Sequence, residues 1–179
     1  GRPKTLPLRE TIDCYIDHRR TVIRRRTEHL LHEARRAAHR LEGLIFAVCD
    51  IDEVIELIRS SRTREEAITR LRERRFQIAA DHAYAPQIPS ILIDRGSDGG
   101  VSLSKLQAEA IGAMRLIQLV GLEIEKLTSE YGALLEKISG YEAILAEESR
   151  VLQIIRDDCL SMRATFGADR QTTIEDVED

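Results

Sequence analysis

Few residues in this chain are of a type and spacing that could do chemistry. Cys14 and His18 stand four apart, and His29 and His32 three apart, spacings that can begin a metal site on a helix. Two ligands do not complete one, and no Cys/His cluster supplies the rest. The three cysteines, Cys14, Cys49 and Cys159, are odd in number and widely separated, with no CxxC. That pattern fits free thiols in a reducing cytoplasm rather than a disulfide framework. The glycines at 96, 99 and 100 are not followed by GK[ST] and make no phosphate loop. Thr63, Ser104 and Ser149 stand where helix caps are expected. Tyr15, Tyr84, Tyr131 and Tyr141 lack an accompanying catalytic motif, and the last two fall on a hydrophobic seam. One charged group stands out: Arg19, Arg20, Arg24, Arg25 and Arg26. It reads either as a contact for nucleic-acid phosphates or as a solvated helix face paired with acids. No catalytic residue and no metal site is expected.

The elements that carry these residues are long helices. There is no Trp, and only three Phe and four Tyr among 179 residues, whereas Asp, Glu, Lys and Arg make up 32%. Such a chain depends on helix–helix seams more than on an aromatic core. Charge is uneven: residues 1–40 carry eleven Arg/Lys against five Asp/Glu, and residues 119–179 carry six against fourteen. Two helices of opposite charge, packed side by side, would account for this. No apolar run approaches the roughly 20 residues of a membrane span, and no signal peptide is recognisable. The start at Gly1, in a proline-containing stretch without Met, suggests an internal piece of a longer protein.

Helix is predicted from Leu8, just after Pro7, to about Val48. Its seam runs Ile12, Ile16, Arg19, Ile23, Thr27, Leu30, Ala34, Ala37, Leu41, Leu44, Val48, at heptad spacing with one slip. About 40 residues of helix span about 60 Å, too long for a lone helix of a compact domain. A second seam runs Val120, Ile124, Leu127, Tyr131, Leu134, Ile138, Tyr141, Leu145. It breaks at 147–149 and resumes as Leu152, Ile155, Cys159, Met162, Phe166, before Gly167. Two matched seams predict an antiparallel coiled coil, with arms at 1–49 and 119–166 and a tail at 167–179. The inserted 50–118 is a small helical tip. There Asp50 would cap a helix over 51–60, and capping boxes at Thr63–Glu66 and Ser104–Gln107 would open two more, the second running on through Leu122. Ile91–Ile93 and Val101–Leu103 would pair as a short hairpin. The expected class is mainly all-α.

Four strings, in this order, carry a resemblance: RPKTLPLRETIDCYIDHRRTVIRRRTEHLLHEARRAAHRLEGL, DIDEVIELIRSSRTREEA, LSKLQAEAIGAMRLIQLVGLEIEKL and FGADRQTTI. They resemble the coiled-coil and tip region of the A subunits of type IIA DNA topoisomerases, those of DNA gyrase first and of topoisomerase IV next. The family block reads approximately QAxAILDMRLxxLTGLE. Here Gly112-Ala113 stands for Leu-Asp, and Val120 for Thr.

The resemblance implies an arm whose tip closes the enzyme's exit gate by pairing with a second copy. The transported DNA duplex would be held behind that gate and released through it. Leu103, Leu106, Ala110, Ile111, Met114 and Ile117 are expected to supply the pairing surface. The arginines at 19, 20 and 24–26 would approach DNA. The cleaving tyrosine belongs to a preceding domain, and ATP and Mg2+ are handled by the partner B subunit of an A2B2 bacterial cytoplasmic enzyme, an ATP-hydrolysing isomerase. Two other classes stay open on periodicity alone: a plain coiled-coil interaction module, and a basic helical hairpin that binds nucleic acid by itself.

Overall fold

The computed structural model describes residues 7–166. Eight helices account for most of them: α1 (Leu8–Cys49), α2 (Ile51–Ser60), α3 (Arg64–Glu73), α4 (Ser90–Gly96), α5 (Lys105–Gly112), α6 (Leu116–Val120), α7 (Ile124–Ala146) and α8 (Glu148–Phe166). Two strands of two residues, β1 (Arg75–Phe76) and β2 (Val101–Ser102), form an antiparallel ladder. The fold is mainly all-α, as expected. The chain divides into two compact units, one made of 1–30 with 141–179 and the other of 31–140.

In the first unit, α1 and α8 run antiparallel. Ile23, Val151 and Ile155 are buried together, with Ile16, Ile144 and Ile154 packed against them. Arg19 donates to Asp158 at 2.7 Å. Thr27, a polar residue in the seam, is buried and donates its hydroxyl to the Ile23 carbonyl at 2.8 Å, so that hydroxyl is satisfied within the helix. The phase of α8 differs from the sequence expectation. Val151 and Ile155 face inward, whereas Leu152, Cys159 and Met162 are exposed. Glu147 is a single non-helical residue between α7 and α8, and it re-phases the helix that follows. Ser149 lies inside α8 rather than capping it. Phe166 closes α8, and the expected stop at Gly167 lies outside the described residues.

The second unit holds the main core. From Gly43 to Val48 every residue of α1 is buried, because the tip's elements surround that end of the helix. On its way there α1 buries Leu31, Ala34, Ala38 and Leu41, so Leu31 and Ala38 replace the expected Leu30 and Ala37. α7 packs on this stretch through Ile124, Leu127 and Tyr131. Val120, expected to start that seam, is 59% exposed in α6.

Local chemistry sets the tip's boundaries. Ser104 and Gln107 form the expected reciprocal box, with Gln107 N–H donating to Ser104 Oγ (3.3 Å) and Ser104 N–H to Gln107 Oε1 (3.0 Å). Thr63 accepts from Glu66 N–H, but the Glu66 carboxylate accepts from Arg62 N–H instead of closing a box. Asp50 precedes α2 without capping it; its carboxylate takes the Arg74 guanidinium at 2.6 and 3.0 Å. The single helix expected after Ser104 is two. Arg115 is extended, and its N–H is taken by the Gln118 side chain at 2.9 Å, so α6 starts afresh. The expected hairpin is also corrected. Residues 90–96 are helical, burying Leu92 and Gly96 one turn apart, and β2 pairs with β1. That ladder clips together the ends of segment 77–100. Gly100, at φ +86°, makes the clip possible, since a side chain there would sit 2.9 Å from Arg75 Cβ.

Candidate functional site

One face of the tip, built by α1, α3, α5 and α6, gathers Leu106, Ala110 and Met114 of the residues expected to form the pairing surface. α5 lies very close to α1 there. An added Cβ at Gly43 would stand 2.7 Å from Gln107 Cβ, so the crossing depends on a glycine. Gln107 is buried and donates from Nε2 to the His39 carbonyl at 2.7 Å. His39 Nε2 lies 2.6 Å from Ser104 Oγ, and His39 Nδ1 lies 3.9 Å from Glu42 Oε2. These three residue types could suggest a nucleophile with its base. Here Ser104 is engaged as the cap of α5, and the Glu42 carboxylate is committed elsewhere. It accepts from the Tyr131 hydroxyl at 2.7 Å and from Arg95 at 2.8 Å. The cluster ties α5, α4 and α7 to α1.

Tyr131 is buried, as its seam position predicts, and Tyr141 is half-buried. Burial first, and then the Glu42 hydrogen bond, push the Tyr131 hydroxyl above its ordinary range. It therefore stays a proton donor when an unfolded tyrosine would ionise. The sign follows: this contribution to stability is whole below about pH 10 and is lost as pH rises beyond it. Tyr131→Phe is expected to cost about 0.5–1.5 kcal/mol at neutral pH. It should also flatten the fall in stability above about pH 10, read from urea melts at several pH values. An equal slope in both proteins would show that another group controls it.

The six residues expected to form a pairing surface divide. Leu103 (3% exposed) and Ile111 (0%) belong to the core and cannot be offered to a partner. Leu106, Ala110 and Met114 are half-buried, and Ile117 is 75% exposed. Leu116 and Val120, which the sequence did not single out for this role, are exposed beside Ile117 on the same short helix. The half-buried three line a cleft of about 880 Å³ whose other walls include Arg36, Arg40 and Arg64. Ala113, where the family pattern has Asp, also lines it. The arginines of this cleft gave no sequence signal beyond the four-residue spacing of Arg36 and Arg40.

The basic run lies in the other unit. Arg19 is held by Asp158, and Arg20 and Arg24 are half-buried. Arg25 and Arg26 are exposed. Cys14, His18, His29 and His32 are exposed too, and among the described residues no group of three or more His, Cys, Asp or Glu could hold a metal. Burial, and then Asp50, push the Cys49 thiol up to about 11, which keeps it protonated and inert. No described helix is long and apolar enough to cross a membrane.

Comparison with known proteins identifies the family of the chain. A model of the DNA gyrase/topoisomerase IV A-subunit family matches residues 1–160. The DNA gyrase A protein of Staphylococcus aureus (strain MRSA252) is 41% identical over 184 aligned residues, taking in 100% of this chain and 18% of the relative. That of Staphylococcus epidermidis (strain ATCC 12228 / FDA PCI 1200) is likewise 41% identical, with the same coverage. The chain thus spans about a fifth of the length of these relatives. On its sequence, and over essentially its whole length, the chain belongs to the A-subunit family of DNA gyrase and topoisomerase IV.

Proposed function

We propose that this chain is the arm and tip through which two A subunits of a type II DNA topoisomerase, DNA gyrase before topoisomerase IV, close and reopen the exit gate. The observation that carries this reading is the exposed apolar cluster of Leu116, Ile117 and Val120 beside half-buried Met114, on a tip whose own core is complete without it. Apolar side chains left outside a filled core suit a self-contact that must form and break. A two-fold pairing, with the same patch contributed by each copy, is the natural geometry. About 1,000–2,000 Å² of buried surface would hold it closed without making it permanent.

In this reading the chain does no covalent chemistry. Its residues position and release the transported duplex, while strand cleavage lies in another domain of the same polypeptide. ATP and Mg2+ are handled by the B subunit of an A2B2 cytoplasmic enzyme. The arms set the width of the space behind the gate, and exposed Arg25 and Arg26, with Arg24, present charge to DNA phosphates.

Light scattering tests the gate. The chain is expected to be a dimer, and Ile117→Arg and Met114→Arg monomers of unchanged helicity. A dimer indifferent to both changes would move the pairing surface to the arms, as in a plain coiled-coil module. The approach to DNA has a separate test. Replacing Arg24, Arg25 and Arg26 with Gln should reduce the salt dependence of DNA binding by about 0.9 in logarithmic slope for each phosphate that is no longer neutralised. An unchanged slope would remove these arginines from the DNA surface.

A further inference from the structure

His82 is tied at both ring nitrogens to backbone groups, and those partners decide where its proton sits. Nε2 lies 2.9 Å from the carbonyl of Cys49, the last residue of α1, and Nδ1 accepts from the Tyr84 N–H at 3.0 Å. A carbonyl can only accept and a backbone N–H can only donate. The imidazole therefore holds one proton, on Nε2, and has no place for a second while both bonds stand. The chain around it is a tight turn. Ala85 N–H donates to the His82 carbonyl, and His82 N–H to the Ala79 carbonyl, each at 3.0 Å. Ile78, Ala85 and Ile88 are buried on either side, whereas Asp81, Ala83 and Tyr84 are exposed. A half-buried histidine thus clasps an exposed turn between core anchors. Among the described residues it forms no ion pair. Asp81 precedes it in the chain. Asp50, which follows Cys49, is taken by Arg74 at 2.6 Å, and Glu53 faces the same guanidinium at 3.9 Å. The Tyr84 ring lies 5.4 Å from the imidazole.

We propose that His82 is a proton-driven switch in the segment between β1 and β2. A proton taken up at Nδ1 leaves the bond from Nε2–H to the Cys49 carbonyl in place and strengthens it, because a cation suits the C-terminus of a helix. The same proton meets the Tyr84 N–H donor against donor and expels it. Acid thus turns His82 from the clasp of the turn into a cap of α1, and releases Tyr84 while the buried anchors stay. Histidine is the side chain that changes charge between pH 5 and 8, so the exposed surface around Tyr84 is reshaped within that range. The switch is independent of the gate reading, since none of the residues expected to pair takes part in it.

The test is nuclear magnetic resonance of the isotope-labelled 179-residue chain, from about pH 7.5 to about pH 5.5. The comparison is His82→Asn, whose side-chain oxygen can still accept the N–H two residues on but cannot titrate. At the upper pH the His82 ring should carry its proton on Nε2. As the ring titrates, the protection of the Tyr84 amide against exchange, relative to an unstructured amide at the same pH, should fall about two- to tenfold, the worth of one hydrogen bond. The amides of Ile88 and Leu92, bonded to Ala85 and Pro89, should keep theirs. In His82→Asn the Tyr84 amide should not respond to pH. A proton on Nδ1 at the upper pH overturns the proposal, as does steady Tyr84 protection while the ring titrates. An equal fall in His82→Asn assigns the effect to another group. Joint loss at Tyr84, Ile88 and Leu92 also overturns it, because acid would then be unfolding the segment. Should His82→Asn not fold, the wild-type ring and amides decide alone.

Discussion

Gly43→Ala should destabilise the chain by about 1–3 kcal/mol, the usual cost of forcing atoms into a filled core. The sign is informative, because the same change in an open helix interior stabilises by roughly 1 kcal/mol. Gly43 is buried in α1, and the new methyl would stand 2.7 Å from Gln107 Cβ and 2.8 Å from Gln107 Cγ. The nearer atom is attached directly to the backbone of α5, so no rotamer change clears it and α5 must retreat from α1. Retreat stretches the 2.7 Å bond from Gln107 to the His39 carbonyl and opens the 2.6 Å contact between His39 and Ser104. A urea melt followed by circular dichroism reads the result. Unaltered or raised stability would mean that the two helices are not held at this spacing.

Ile111→Ala and Ile117→Ala should differ by several kcal/mol although only five residues lie between them. Ile111 is wholly buried in the tip core, and its truncation should cost about 2–5 kcal/mol. Ile117 is 75% exposed, and its truncation should change the stability of the monomer by less than about 0.5 kcal/mol. The proper measurement is a denaturation series at protein concentrations low enough to keep the chain monomeric. Equal costs would mean that α6 packs inward, and the exposed cluster on which the gate reading rests would vanish.

Those two isoleucines also show how far the sequence could be read. The long helices were legible because their apolar residues recur over many turns, and a repeated signal survives local error. The tip's face was legible only in part. Ile111 and Ile117 are each three positions from Met114, which links them along the flank of any single helix drawn through all three, but α5 ends at Gly112 and α6 starts at Leu116, so the faces are reset. That break is made by one side chain, Gln118, capping an extended Arg115, and such a bond leaves no periodic trace. The same applies to α8, re-phased by Glu147 alone. β1 is two residues long, too short for alternation to appear, so β2 was assigned the wrong partner. Ile91–Ile93 suggested a strand by composition. Tertiary burial of Leu92 and Gly96 made it helix. The arginines of the cleft come from α1 and α3, and only folding brings them together.

The β1–β2 clip has a practical consequence. Because the ladder holds the two ends of segment 77–100 together, what lies between them is a closed excursion from the tip. Lengthening such an excursion costs about 0.6 kcal/mol per doubling. Within it, Gly96 is buried and Gly100 is pressed against Arg75, whereas Gly99 has nothing within 4 Å of where its side chain would be. The turn between Ser97 and Gly99 is therefore a natural graft point, where a fluorescent reporter could be spliced into the tip while the arms and the apolar cluster of α6 keep their own sequence.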